Sequence, residues 1–145
     1  MEVKTEREQN VQQAESKENS NNDTLEEKDK KSFKPNFQIR LETLSNKFFR
    51  TSIKFKNSHK RELGLDIRRN FSTAIGCINL GMKVPSVRKI RLQEAQAEIE
   101  TARHHFELLK EAKGISSGFW REIDLEITNI SRSIGAYIKQ IGKKK

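Results

Sequence analysis

Apolar residues recur every three or four positions over most of the chain, which is the spacing that lines one face of an α-helix. The first such stripe is Phe37, Leu41, Leu44, Phe48 and Phe55, predicting a helix from Phe37 to about Lys56. The second runs from about Lys60 to Leu80 through Leu63, Ile67, Phe71, Ala74, Ile75 and Ile78. A third follows Leu92, Ala95, Ile99, Ala102, Phe106 and Leu109, and a fourth Trp120, Ile123, Ile127, Ile130, Ile134, Tyr137 and Ile141.

Turn and cap residues fall between the stripes. Asn57 and Ser58 can stop the first helix and cap the second, Gly81 reads as the second helix's end, and Ser86 is placed to cap the third. In Lys113-Gly114-Ile115, Gly114 is expected to take the left-handed conformation and Ile115 the apolar contact that follows it. Ser116 or Ser117 can cap the fourth helix. Four amphipathic helices on short connections predict an all-α fold, an antiparallel up-down-up-down four-helix bundle over residues 37–145. Residues 1–36 contain only six apolar side chains and are predicted to form a disordered polar tail.

Charge sharpens this picture. The 145 residues hold 29 Lys and Arg against 20 Asp and Glu, a formal charge of +9. Residues 37–93 carry 13 basic side chains and three acids (Glu42, Glu62, Asp66), whereas residues 94–145 carry nine and eight. Only 33% of residues are hydrophobic, and no run approaches the roughly 18–20 apolar residues of a membrane span. The opening MEVKTEREQN has no apolar signal segment, and the single cysteine, Cys77, fits a reducing compartment, so a cytoplasmic location is expected.

The residues offer no catalytic constellation and no cofactor signature. There is no glycine-rich phosphate loop, no paired-cysteine spacing and no Glu-x-x-His pair. His104 and His105 are neighbours on a helix and diverge by roughly 100°, so they cannot chelate one ion together. His59 lies at a helix start, and Cys77 lies next to the core stripe and reads as a small buried side chain. The expected protein is not an enzyme.

The basic half carries the functional reading. Arg40, Lys47, Arg50 and Lys54 form one stripe on the first helix; Lys56, Lys60 and Arg61 continue it at the turn, followed by Arg68 and Arg69. Lys83, Arg88, Lys89 and Arg91 surround the start of the third helix, where cations are disfavoured by ~0.3–1 kcal/mol each when exposed. A phosphate-bearing partner would offset that cost. These 13 residues are the predicted nucleic-acid or polymerase contacts, dominated by phosphate and weak in sequence preference because most Phe residues lie on core stripes.

The run Phe55-Lys56-Asn57-Ser58-His59-Lys60-Arg61-Glu62-Leu63-Gly64, with Ile67 and Arg68, resembles the junction of the first two helices in accessory variability determinant proteins of diversity-generating retroelements. Val87 to Ala95 resembles the basic opening of their third helix, Gly114-Ile115-Ser116 their third loop, and Ile130 to Lys139 their closing helix. Two positions depart: the family usually has proline where Lys56 stands and often tryptophan where Tyr137 stands. The resemblance implies a homopentamer of four-helix protomers that binds a reverse transcriptase together with template RNA and cDNA. It implies support for adenine-mutagenic copying without being the polymerase. The broader relatives, four-helix proteins encoded in ribosomal RNA intervening sequences, give the alternative of an rRNA-associated bundle. A purely structural homo-oligomer is the third expectation.

Overall fold

A computed structural model describes residues 34–143. The expected tail, up to residue 33, and the terminal Lys144 and Lys145 lie outside the described residues. The described chain is all-α: α1 (Asn36–Ser52), α2 (Ser58–Lys83), α3 (Arg88–Glu111) and α4 (Ser117–Lys143), with a short 3-10 turn at Pro85–Val87. Among the described residues there is no strand, and no helix is long and apolar enough to cross a membrane.

The four stripes are the core of a four-helix bundle. Leu41, Phe48, Ile67, Phe71, Leu92, Ile99, Phe106, Ile127, Ile130 and Ile134 are each 0% exposed. Trp120, Tyr137, Ile75 and Ile141 close its edges, partly buried. Packing runs round the bundle: α1 lies against α2 and α4, and α3 lies against the same two helices. Phe106 is the hub, with ring centroids 4.9 Å from Phe48, 5.8 Å from Phe71 and 6.4 Å from Trp120. Burying each such side chain stabilises the fold by about 1.5–3 kcal/mol.

Helix ends depart from the sequence reading at four places, each for a local reason. α1 stops at Ser52, not Lys56. The hydroxyl of Ser52 donates to Phe49 O at 3.1 Å, and the amides of Lys54 and Phe55 donate to carbonyls only three residues back, tightening the last turn. Phe55 therefore leaves the helix and folds back, 6.3 Å from Phe48. A Cβ on Gly64 would lie 3.3 Å from the Phe55 ring, so the returning side chain packs where glycine leaves room.

Gly81 does not end α2. It is buried inside the helix, and a Cβ there would sit 3.2 Å from Arg91 Cβ and 3.4 Å from Arg88 O. It marks a close approach of α2 and α3. The helix ends at Lys83 because Pro85 drives Val84 into extended backbone (φ −121°, ψ 98°). Ser86 lies inside the 3-10 turn, and α3 starts from Val87 without a side-chain cap.

The left-handed residue after α3 is Lys113, at φ 65°, and not Gly114. Lys113 N–H donates to Lys110 O and Gly114 N–H to Leu109 O, at 2.9 and 2.8 Å, the two bonds of a Schellman ending. Gly114 is needed one place later, because a Cβ would meet Leu109 Cδ1 at 2.4 Å. Two expected caps form as read: Asn57 Oδ1 accepts from Lys60 N–H at 3.1 Å, and Ser116 Oγ from Phe119 N–H at 3.0 Å.

Candidate nucleic-acid interface

The 13 predicted contact residues separate into two kinds, those already satisfied within the bundle and those left open. Arg40 faces α4 and donates through two nitrogens to Glu126, at 2.9 and 2.7 Å, a forked pair that raises its pKa above the ordinary arginine value. Lys47 turns the same way, 3.7 Å from Glu122 and 5.4 Å from the centroid of the Phe119 ring. These four charged groups line a surface cleft of about 270 Å³ whose charges balance. Arg69 lies 3.7 Å from Asp66 and Arg91 lies 2.6 Å from Glu94, each one turn along its own helix.

Arg88 has a different occupation. Its Nε donates to Gly81 O at 2.9 Å and a terminal nitrogen donates to Met82 O at 3.0 Å. Gly81 O would normally accept from the amide four residues on, but residue 85 is proline and has no N–H. Arg88 supplies the missing donor and places its charge at the negative end of α2. Within the bundle Arg88 thus has two carbonyl partners and Arg91 one carboxylate partner, while Arg91 Nε is buried without a hydrogen-bond partner. Lys83 and Lys89, both exposed, remain open there.

The junction of α1 and α2 is where charge is left over. Arg50 ends α1, Lys54 and Lys56 lie in the connection, and Lys60 and Arg61 lie in the first turn of α2. Lys54, read as part of the α1 stripe, stands beyond the helix end. Among the described residues no side chain engages Arg50, Lys54, Lys56 or Lys60. Arg61 donates to the backbone carbonyl of Lys56 at 2.7 Å. The first turn of α2 holds no acid, and Glu62 is the one carboxylate between residues 43 and 65. Cations thus crowd the positive end of a 26-residue helix whose first turn holds no acid.

One residue of this surface was missed by the stripe reading. Phe49 is 47% exposed beside fully buried Phe48, and the Arg68 guanidinium carbon lies 5.1 Å from its ring centroid. The signal was available: of two consecutive phenylalanines on a helix, only one can point into the core. Arg68, predicted as a phosphate contact, is held over that ring.

Other polar groups tie the helices together or lie at the surface. Arg103 pins α3 to α4 through Asp124 and, at 3.3 Å, Thr128. Burial opposes its charge, but Glu100 and Asp124 outweigh that and raise its pKa. His105 shares a hydrogen bond of 2.8 Å with Asn70, and His104 is exposed, 3.9 Å from Glu107. Burial pushes the Cys77 thiol up, and Glu94 adds to the shift, leaving a poor nucleophile. No group of three His, Cys, Asp or Glu that could hold a metal occurs among the described residues. No known protein family, no curated protein and no solved structure matches this chain.

Proposed function

We propose that the chain is a non-enzymatic nucleic-acid-binding bundle whose α1–α2 junction grips the phosphate backbone. The observation that carries the reading is the group Arg50, Lys54, Lys56 and Lys60, open cations gathered at a helix N-terminus without a facing acid. Such a surface favours phosphate contacts and reads sequence weakly. In this reading the four helices run up-down-up-down. Partners that fall in opposite order on facing helices support it: Gln38 with Asn79, Asn70 with Glu98, Cys77 with Glu94, and Arg103 with Asp124.

The sequence likeness to accessory variability determinants extends the proposal. The protein serves, as a cytoplasmic homopentamer, a reverse transcriptase that copies template RNA into mutagenised cDNA. Of the four open cations, Lys56 and Lys60 lie within one of the four resembling stretches, Phe55 to Gly64.

The test is RNA binding followed by fluorescence anisotropy across salt. The triple variant Arg50→Glu, Lys54→Glu, Lys60→Glu is expected to lose roughly tenfold affinity or more and to flatten the salt dependence. Arg40→Gln, whose charge Glu126 already meets, should stay near the parent. Equal affinity for the triple variant and the parent, with no salt dependence, would refute phosphate binding at this junction. Copurification with a reverse transcriptase encoded beside it tests the polymerase partner, and its failure alongside intact RNA binding would leave the rRNA-associated reading.

A further inference from the structure

We propose that the junction takes single-stranded nucleic acid and stacks an unpaired base against Phe49. The inference rests on the phosphate-binding reading above and goes beyond it in naming the form of the ligand. Exposed apolar side chains scattered singly are ordinary, so exposure alone would mean little. What sets Phe49 apart is its company. It sits in the last turn of α1, next in sequence to Arg50, with Arg68 from α2 at cation–π distance over its ring, 5.1 Å from the centroid. The open cations of the connection begin five residues later, at Lys54.

A nucleotide has two recognisable parts, an anionic phosphate and a flat π-face. In a duplex the π-faces are already stacked, and a protein surface reaches phosphates and base edges only. In a single strand both parts are offered. Aromatic rings and guanidinium planes are the two protein groups on which bases stack, and here they stand together beside cations that no carboxylate neutralises. An acidic peptide carrying an apolar side chain could use the charge and the ring, but it would gain little from a flat guanidinium–ring pair. The single strand uses all three features.

The experiment uses the full chain, a labelled single-stranded RNA and the duplex of the same length. The parent is expected to bind the single strand more tightly than the duplex. Phe49→Ala should weaken single-strand binding by roughly 5- to 150-fold, the loss of one stacked base, while duplex affinity and the salt slope stay as in the parent. Phe49→Leu, which keeps an apolar side chain without a π-face, should behave like Phe49→Ala. Because the ring is half exposed, both variants should melt like the parent. The double variant Arg50→Gln, Lys54→Gln should weaken both ligands and reduce the slope.

Stacking is overturned if Phe49→Ala leaves single-strand affinity unchanged, if Phe49→Leu restores it, or if duplex binds as well as single strand. In each case the charge variant would still act, and phosphate binding would stand. A parent that binds neither ligand at low salt would sink both readings. Binding of a Glu-rich, Phe-containing peptide that Phe49→Ala abolishes while RNA binding persists would assign the ring to a protein partner and overturn the proposal.

Discussion

Replacing Arg88 by methionine separates the two roles open to a cation at the start of α3. Methionine keeps an apolar stem of similar length and removes the guanidinium. Two charge-assisted hydrogen bonds disappear, to Gly81 O at 2.9 Å and Met82 O at 3.0 Å. Hydrogen bonds to a charged group contribute about 1.5–3 kcal/mol each when protected from solvent. Arg88 is only half buried and water can reach the end of α2, so each bond falls to the ordinary net value of about 1 kcal/mol, about 2 kcal/mol for the pair. With an unfolding entropy near 2.1 cal/mol/K per residue over ~110 residues, that is a fall in Tm of roughly 9 °C. Thermal unfolding by circular dichroism reads the loss, and RNA anisotropy on the folded variant should match the parent. An unchanged Tm with a clear drop in RNA affinity would refute the structural role and return Arg88 to the phosphate surface.

Other changes test the remaining details. Lys113→Gly should stabilise the protein by about 0.5–1 kcal/mol, because glycine removes the penalty of a left-handed backbone at φ 65°; chemical denaturation measures it. Gly114→Ala should instead cost about 1–3 kcal/mol, since the new methyl drives into buried Leu109; the same denaturation curves would show it. Cys77 has a thiol pKa raised by burial and Glu94. The folded state therefore keeps the thiol neutral where the unfolded chain ionises. Its contribution to stability is full below the unfolded-state pKa and is lost as pH rises through the folded-state value. Stability should fall through the alkaline range, less so in Cys77→Ala, and alkylation of the folded protein should be slower than that of the denatured chain.

The core was legible because burial of a helix stripe is a local property: period 3.6 alone picked out Leu92, Ala95, Ile99, Ala102, Phe106 and Leu109, all fully buried. Helix ends were less so, since they turn on one or two backbone groups. Gly81 reads as a stop in sequence, yet it sits at a helix contact, and the left-handed position fell on a lysine.

From its residues alone, then, the chain is committed to four amphipathic helices and to a basic first half, because both follow from side chains counted along one strand of covalent order. Which cations stay unsatisfied was decided only in three dimensions. The carboxylate that engages Arg40 comes from Glu126, 86 residues away, and the Gly81 carbonyl that engages Arg88 is freed by a proline across a turn. Charge pairing depends on which helix faces meet, and no periodicity within a single helix encodes that.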